Sequence, residues 1–288
     1  MIRTVKVDDV IFSLKEVESF DWLKGVGKVF RVFSEQDSGN LCFGVMDGGV
    51  KKFVKYAGAK TVNYEGKRED AIARLKKCIP IYEQLKHDSL VNLIDHFEVE
   101  NGYALVFDWF EGESLHSPGD FPPPHKYKHP DSPYYRFKQM PVKLRLKSLN
   151  TIFQFHIHVE KNKYVAIDFY DGSILYDFKN NQTKICDIDF YEKKPYVNEM
   201  GRLWGSKRFM SPEEFQLGAA IDEKTNVFNM GAVAFALLGG ELDRSYSKWE
   251  GSKALYAIAK KAVEQEKHNR YTSVEAFYNA WISECGLD

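Results

Sequence analysis

Two aspartates in the second half of the chain occupy positions that call for an explanation. Asp168 follows the apolar residues 164–167 and precedes a short polar turn and a second apolar run. Asp187 directly follows the apolar residues 185–186. A carboxylate between two buried segments either bonds to nearby backbone amides as a turn residue or takes part in catalysis. Both aspartates are therefore candidates for catalysis.

A lysine in the first half of the chain is a third candidate. Lys55 lies near the end of a predicted strand and has Val54, Tyr56 and Ala57 as its neighbours. A lone strand lysine is usually solvated, but an ammonium group among apolar residues needs a partner. We therefore interpret Lys55 as functional.

The elements that must position these residues begin with a strand-rich part. A glycine-containing turn at residues 46–49 predicts a tight hairpin within an antiparallel meander, and a second turn at 100–102 joins two further strands. Residues 68–85 have helical periodicity, which Pro80 must kink or split. The predicted strands are residues 26–33, 41–45, 50–56, 91–99 and 103–107.

The rest of the chain is predicted to be mainly helical. Residues 142–160 form one predicted helix, and residues 228–238 are apolar all round, as is typical of a buried helix. Residues 116–133 are rich in proline and polar residues, which predicts a loop or insertion that serves as a candidate substrate or partner surface. We expect a strand-rich part over residues 1–108 and a helical part over residues 109–288.

Composition and charge argue against several classes of protein. A hydrophobic fraction of 44% and an aromatic fraction of 15% are typical of a globular chain. The net charge of −1 argues against a nucleic-acid partner and against an anionic membrane surface. No apolar stretch approaches membrane-spanning length. The four scattered cysteines and the charged N-terminus without a signal-peptide core predict a cytoplasmic location and no zinc site.

The order and spacing of these elements resemble the protein kinase family. The resemblance rests on Lys55 at a strand end, on the segments around Asp168 and Asp187, and on residues 205–214 and 225–232. It extends from the first sheet strand almost to the C-terminus. It implies an α+β, two-lobed protein-kinase-like fold with an antiparallel-sheet N-lobe, a mainly helical C-lobe, and ATP and magnesium bound between the lobes.

The resemblance assigns roles in phosphoryl transfer, which depends mostly on positioning and charge neutralisation. Lys55 matches the strand lysine that contacts the α and β phosphates of ATP. Asp168 matches the catalytic-loop aspartate, which accepts or orients the proton of the attacking hydroxyl. Asp187 matches the magnesium-binding aspartate of Asp-Phe-Gly, here Asp-Ile-Asp, with Asp189 as a second acid. Ser173 stands at the position of the metal-binding asparagine, so Asp187, Ser173 and Asp189 are the candidate metal ligands.

The remaining ATP-binding candidates come from the same resemblance. Ser38 and Gly39 lie at the tip of the predicted phosphate loop, residues 34–40. The hinge that receives adenine corresponds to Phe107, Asp108, Trp109 and Phe110.

Three further residues match structural positions of the family. Asn226 occupies the aspartate position at the start of the buried helix. Glu213, in the Ser-Pro-Glu sequence at 211–213, matches the glutamate of Ala-Pro-Glu. Arg270 matches the late arginine that pairs with that glutamate, so we expect a structural ion pair between the two.

The catalytic loop departs from the family pattern. Ala166 and Ile167 replace the usual His-Arg pair, Tyr170 replaces a lysine, and Ser173 replaces asparagine. Kinases that require a phosphate on the activation loop usually grip it with that arginine. Because Ile167 carries no charge, we expect activity that does not require phosphorylation of this loop, where Ser206 is the one serine or threonine between Asp189 and Ser211.

Several residues keep plainer interpretations. The helix glutamate that pairs with the strand lysine has no clear counterpart, because Cys78 occupies its register and only Glu69 and Glu83 are candidates. Asp171, which precedes a glycine, is interpreted as a turn residue. The two histidines of the predicted helix, His156 and His158, are two positions apart, face different ways, and do not form a metal pair.

The expected activity is transfer of the γ-phosphoryl group of ATP to a serine or threonine hydroxyl of a protein substrate. Two alternatives stay open. Asp189, Tyr170 and the missing His-Arg pair favour a small-molecule phosphotransferase of the aminoglycoside type, although residues 204–213 resemble a peptide-docking segment. The same departures favour a pseudokinase that binds a partner, although Lys55 and both principal aspartates are retained.

Overall fold

A computed structural model describes residues 2–35 and 37–286 and divides the chain into two units. The first unit contains the residues up to Lys86 together with Val91–Phe110. The second contains His87–Leu90 and the residues from Glu111 onward. The boundary between the two units lies after Phe110, whereas the boundary predicted from the sequence lies after residue 108. Within the described ranges, no helix is both long enough and apolar enough to cross a membrane.

The strands of the first unit form a hairpin and a five-stranded antiparallel sheet. The sheet has the strand order β3-β4-β5-β7-β6, so the predicted meander and the two later strands form one sheet. The strands are β1 (Arg3–Val7), β2 (Val10–Leu14), β3 (Lys28–Phe33), β4 (Asn40–Asp47), β5 (Val50–Ala57), β6 (Leu93–Val99) and β7 (Gly102–Asp108).

The helix predicted over residues 68–85 is split into α1 (Arg68–Lys77) and α2 (Ile79–Gln84). Pro80 lies in the first turn of α2, where its missing N–H removes no helical hydrogen bond. Cys78 joins the two helices and is fully buried. The prediction that Pro80 interrupts the helix is confirmed.

One core cluster of the first unit lies on one face of its sheet. Alternate residues of β4 and β5, among them Phe43, Val54 and Tyr56, point to this face and are almost fully buried. The hairpin β1–β2 and a 3₁₀ turn at Asp21–Gly25 add Phe12 and Leu23 to the same cluster. The sequence analysis assigned no element to this N-terminal segment, whose charged residues mask a short alternating pattern.

The second unit is mainly helical and also contains short strand pairs. Its strands are β8 (Glu113–Ser114), β9 (Tyr164–Val165), β10 (Ile174–Asp177), β11 (Gln182–Ile185), β12 (Glu192–Lys193), β13 (Tyr196–Val197) and β14 (Ala220–Ile221). Its helices are α3 (His125–Lys128), α4 (Pro133–Lys138), α5 (Val142–Lys161), α6 (Glu223–Leu238), α7 (Lys253–Ala262) and α8 (Val274–Cys285). An antiparallel-sheet unit followed by a mainly helical unit confirms the predicted α+β class.

Helix α6 is the centre of the second unit. Every residue from Thr225 to Leu238 is buried, and α5, α7 and α8 pack against it. Asp222 begins the helix with a capping box that includes Thr225. The prediction of a buried helix from its all-round apolar sequence is confirmed.

The proline-rich segment at residues 116–133 differs from the predicted loop. It contains the one-turn helix α3, and Lys126 within that helix is only 1% exposed. Ser132 accepts the hydrogen bond that begins α4 and also donates one to the carbonyl oxygen of Lys126 at 2.7 Å. The tyrosine that follows, Tyr134, donates to the carbonyl oxygen of Ala236 at 2.8 Å, so α6 holds this segment in place. The predicted loop or insertion therefore contains one helical turn and is anchored to the rest of the unit.

Candidate active site

Lys55 lies on a central strand of the first unit's sheet. Its neighbours in register are Cys42 on β4 and Leu105 on β7. Because side chains alternate along a strand, Lys55 points to the face opposite the core cluster that contains Val54 and Tyr56. Lys55 is only 7% exposed, so most of this residue is shielded from water. A rigidly placed, buried lysine is what a phosphate-contacting role requires.

The candidate glutamate partners of Lys55 do not share its burial. Glu69 on α1 and Glu83 on α2 are both exposed. Cys78, at the family register, is fully buried, and its thiol donates to the carbonyl oxygen of Leu75 at 3.1 Å. An acid that neutralises a buried ammonium group must itself be shielded from water. Because both glutamates are exposed, neither has the burial that this role requires.

The turn with Ser38 and Gly39 is held against α1. Arg74 donates to the carbonyl oxygen of Ser38 at 2.7 Å and to the hydroxyl of Tyr64 at 3.1 Å. Gly39 has a φ of 80°, and a Cβ atom there would lie 2.7 Å from the ring of Tyr64. The turn therefore needs glycine for both its conformation and its close approach. A phosphate-binding role for Ser38 and Gly39 stays a prediction.

The predicted hinge residues differ in how they are held. Phe107 is buried with its ring 4.9 Å from that of Tyr82, whereas Asp108 is exposed and accepts a hydrogen bond from Asn92 at 2.9 Å. Trp109 packs edge-to-face on Phe30, and its indole N–H is buried with no hydrogen-bond partner among the residues described. The structure includes no contact that tests adenine binding at residues 107–110, Phe110 included.

In the second unit, helix α6 positions the catalytic loop. The backbone N–H of Ala166 donates to the side-chain oxygen of Asn226 at 2.8 Å, and the Asn226 amide group donates to the carbonyl oxygen of Tyr164 at 3.4 Å. Asn226 is fully buried, so these bonds face little competition from water. The asparagine at the family's aspartate position thus holds the loop two residues before Asp168.

Glu160, at the end of α5, is a residue of this arrangement that the sequence analysis missed. Its carboxylate accepts from the Asn226 amide at 3.4 Å and from the backbone N–H of Val274, at the start of α8, at 2.9 Å. Burial raises the pKa of Glu160 to about 7. No local pattern marks a glutamate near a helix end as a residue that bridges three elements.

Asp168 and Asp187 share an uncommon backbone conformation. Their φ angles are 62° and 54°, in the left-handed region that aspartate tolerates better than most residues. Such residues cost free energy and concentrate at functional sites, where the surrounding structure holds them. Both carboxylates are accessible to some degree, since Asp187 is exposed and Asp168 half-buried.

Asp168 and Asp187 both lie within electrostatic range of two tyrosines, the half-buried Tyr170 and the buried Tyr191. Burial raises the pKa of Tyr170, and the negative charges of Asp187 and Asp168 raise it further. Burial likewise raises the pKa of Tyr191, with further contributions from the same two aspartates. Two carboxylates that act on one pair of phenol groups lie in one neighbourhood of the second unit.

Tyr191 is itself fixed by a buried histidine. Nδ1 of His156 lies 2.7 Å from the carbonyl oxygen of Ile152 and must carry the proton, so Nε2 accepts from the Tyr191 hydroxyl at 2.8 Å. Burial lowers the pKa of His156 to about 4 and keeps the ring neutral. His156 therefore supports the segment that follows Asp187, and both of its ring nitrogens are used in these hydrogen bonds.

Ser173 links the end of the catalytic loop to the segment that carries Asp187. The backbone N–H of Cys186 donates to the carbonyl oxygen of Ser173 at 2.9 Å. The Ser173 hydroxyl is buried and has no hydrogen-bond partner among the described residues. A buried hydroxyl without a partner is costly, and oxygen ligands are the ones that magnesium prefers.

These residues fit a magnesium ion that is held in part by other ligands. Asp187 and Ser173 would each supply one oxygen. Over residues 2–35 and 37–286, no group of three or more His, Cys, Asp or Glu side chains could hold a metal by itself. Magnesium in phosphoryl-transfer sites takes its remaining ligands from phosphates and water, so a small protein ligand set is compatible with it. Asp189 is half-buried, and its part in the set stays a prediction.

Asp171 was predicted to be a turn residue because Gly172 follows it, but the structure also gives it two cationic partners. It begins a 3₁₀ turn, but its side chain is fully buried. Arg208 donates to its two oxygens at 2.8 and 2.9 Å, and the ammonium group of Lys126 donates to one of them. Burial by itself would raise the pKa of Asp171, but the hydrogen bonds and charges of Arg208 and Lys126 hold it below its usual value.

The Ser-Pro-Glu sequence is held by two buried glutamates. Arg270 donates to both oxygens of Glu213 at 2.7 and 3.0 Å, which confirms the predicted structural ion pair. The next residue, Glu214, accepts from the N–H and hydroxyl of Ser211 at 2.6 and 2.8 Å, and Asn229 of α6 donates to it at 3.2 Å. The second of these glutamates was not singled out from the sequence.

Comparison with known proteins agrees with this geometry. The family described as the protein kinase domain matches residues 42–282. Serine/threonine-protein kinase PrkC of Bacillus subtilis is 24% identical over 197 residues, which cover 68% of this chain and 27% of that protein. A probable serine/threonine-protein kinase of Dictyostelium discoideum is 23% identical over 225 residues, which cover 78% of this chain and 23% of that protein. This chain thus spans about a quarter of the length of these two relatives, and it belongs to the protein kinase family.

Proposed function

We propose that this protein is an ATP-dependent protein kinase that transfers the γ-phosphoryl group to a serine or threonine hydroxyl of a protein. The observation that carries the proposal is the backbone conformation that Asp168 and Asp187 share, together with their common electrostatic neighbourhood. Both have left-handed backbone conformations, and the negative charges of both raise the pKa of the same two tyrosines, Tyr170 and Tyr191. A strained arrangement that several buried hydrogen bonds maintain is expected where the two carboxylates have a shared task.

Each of the principal residues has one task in this proposal. Lys55 holds phosphate oxygens with its rigidly placed ammonium group. Asp168 accepts or orients the proton of the acceptor hydroxyl, whose oxygen then forms a bond to the γ-phosphorus as the bond from that phosphorus to the bridging oxygen breaks. The ADP that leaves carries the electron pair of the broken bond.

Asp187 and Ser173 would hold magnesium, which neutralises the negative charge of the β and γ phosphates when it is bound. The Ser173 hydroxyl, which has no hydrogen-bond partner within the described part of the chain, supports this assignment. Asp189 is the candidate for a second metal ligand that assists the neutral Ser173. In the same proposal, Ser38, Gly39 and residues 107–110 contact the nucleotide.

The experiment follows the label of [γ-³²P]ATP after incubation of the pure protein with magnesium, alone and with a generic protein substrate. Transfer of label to serine or threonine of protein supports the proposal. Label on a small-molecule acceptor would replace it with the aminoglycoside-type alternative. ATP binding without any transfer or hydrolysis would replace it with the pseudokinase alternative. Asp168→Asn serves as the control for contaminating kinases.

A further inference from the structure

The charged residues around Asp171 join parts of the second unit that are far apart in sequence. We call Lys126, Asp171, Arg208 and Glu241 the Asp171 cluster. Lys126 comes from the proline-rich segment, Asp171 from the catalytic loop, and Arg208 from the stretch that leads to Ser211. Glu241 follows helix α6 and accepts from Arg208 at 2.7 Å, with the Lys126 ammonium group 3.7 Å away.

The Asp171 cluster is balanced in charge and shielded from water. It contains two cations and two carboxylates, and the side chains of Asp171 and Lys126 are 0% and 1% exposed. The Arg208 pair with Asp171 is bidentate, which fixes direction as well as distance. Removal of one partner from such a buried set leaves an uncompensated charge, so each member depends on the others.

A second set of contacts holds the same segments by apolar packing. Ile167, directly before Asp168, is buried in a cluster with Leu203 and Met210 from the stretch before Ser211. In regulated kinases, this position carries an arginine that grips a phosphate. Here the position contributes apolar area instead, and the charged contact to the catalytic loop is made by Arg208 through Asp171.

The segment before Lys126 is also bonded to the catalytic loop. The hydroxyl of Ser114 on β8 donates to the carbonyl oxygen of Gly172 at 3.1 Å. Strand β8 itself pairs with β10, which directly follows the loop. The proline-rich segment therefore meets the catalytic loop both before its start, at Ser114, and within it, at Lys126.

We propose that Lys126 and Arg208 are positioning residues that hold the catalytic loop and residues 187–211 in their working arrangement, without a phosphate on that segment. They act through Asp171, which is three residues from Asp168. This proposal rests on the proposed kinase activity. In this proposal the proline-rich segment, through Lys126, holds the catalytic loop permanently in place, and we call this contact the clamp.

Ser206 gives the proposal a distinctive consequence. Nε of Arg208 donates to the Ser206 hydroxyl at 3.1 Å, while the two terminal nitrogens of the same guanidinium group bind Asp171. A negative charge at Ser206 would compete with Asp171 for this arginine. A phosphate or its mimic on the segment should therefore lower activity, whereas it raises activity in a kinase that needs activation-loop phosphorylation.

The test compares Arg208→Gln with the matched control Arg202→Gln. Arg202 lies in the same segment, is exposed, and donates to the carbonyl oxygen of Gly205. We expect Arg208→Gln to lower kcat by on the order of 10- to 100-fold with little change in the KM for ATP, because misplacement of a catalytic group costs about that much. Arg202→Gln should retain parent values, and Arg208→Lys, which keeps one cation, should recover part of kcat.

Hydrogen exchange on phosphatase-treated protein without nucleotide separates this proposal from the proposed function. Residues 187–211 should exchange slowly in the parent and in Arg202→Gln, and faster in Arg208→Gln and in Lys126→Met. Hydrogen exchange can be measured even if the parent transfers no phosphate. Absence of transfer with the expected exchange pattern would refute the proposed function and leave the clamp intact. Parent-like exchange in both cluster variants would overturn the clamp.

Ser206→Glu completes the test without removing any member of the Asp171 cluster, so it does not depend on whether the cluster variants fold. A kcat below that of the parent supports the clamp, with Ser206→Ala as the size control. A kcat above that of the parent, or a parent that gains activity only after phosphorylation of Ser206, would show that the segment is regulated in the ordinary way and would overturn the proposal.

Discussion

The two units hold their functional candidates by different physical means. In the first unit, Lys55 lies on a regular central strand, where backbone pairing to β4 and β7 fixes its direction. In the second unit, Asp168 and Asp187 lie on irregular backbone with positive φ angles, and the side chain of Asn226, 58 positions after Asp168, holds the backbone that precedes Asp168. A strand position depends on local pattern, whereas a strained loop depends on its tertiary partners. Substitutions should therefore act locally in the first unit and spread in the second.

The largest expected effect is that of Asp187→Asn. Loss of the carboxylate removes the charged ligand for magnesium and leaves Ser173 as a neutral one, so magnesium-dependent ATP binding should be abolished. Isothermal titration with ATP, with and without magnesium, measures this. Asp131→Asn, an exposed aspartate of the same unit, serves as the control. Parent-like binding in the Asp187 variant would show that the metal is held elsewhere.

Lys55→Met tests the local character of the first unit. Methionine keeps the strand's packing but removes the phosphate contact, so ATP affinity or turnover should fall while the melting temperature without ATP changes little. Lys52→Met is a matched control, because Lys52 lies on the same strand and pairs with Asp47 at 2.9 Å. The account of Lys55 fails if the ATP-induced shift in melting temperature and the rate both equal those of the parent.

Elements with strong local patterns were predictable from the sequence. The glycine-containing turn at residues 46–49 predicted the hairpin whose second strand carries Lys55. Pro80 predicted the split between α1 and α2, and the all-apolar run predicted α6. The family resemblance placed Asp168 and Asp187, and it predicted the pairing of two residues 57 positions apart, Glu213 and Arg270.

The features that the sequence analysis missed depend on contacts between residues that are distant in sequence. Lys126 lies among prolines and polar residues, a pattern that indicates a solvated loop, and only the folded chain shows it paired with Asp171, 45 positions later. Glu160 bridges Asn226 and Val274, and although the family resemblance marked Asn226, no sequence pattern marked Glu160 as its partner. Buried polar networks of this kind are set by tertiary structure, and residue type by itself gives them no signature.

Glu214 makes the stability of the second unit depend on pH, which offers a further test of how its buried side chains hold the structure. Burial raises the pKa of Glu214 to about 7, whereas the unfolded chain releases this proton near the ordinary glutamate value of about 4.3. The folded protein therefore binds more protons than the unfolded chain between these values, and this group lowers stability as the pH rises through that window.

Glu214→Gln removes that contribution, so its melting temperature relative to the parent should increase between about pH 5 and about pH 8. Thermal unfolding across this range measures the difference, with the exposed Glu199→Gln as control. A difference between Glu214→Gln and the parent that does not vary with pH would mean that Glu214 is ionised throughout.

The smallest expected effect is that of Asp189→Asn. If Asp189 assists Ser173 with a second magnesium ion, ATP binding should persist while the magnesium concentration needed for half-maximal turnover rises. A magnesium titration of activity measures this. A curve that overlays that of the parent would leave Asp189 as a loop acid and would weaken the small-molecule phosphotransferase alternative.

The central claim is that Asp168 acts in the transfer step, and paired measurements of ATP binding and turnover in Asp168→Asn test it most directly. Asparagine keeps the size of the side chain and tolerates the left-handed backbone, so folding and nucleotide binding should match the parent. Turnover should fall by roughly two or more orders of magnitude, the scale expected for loss of a general base. Near-parent turnover with intact binding would contradict the claim and assign Asp168 a structural role.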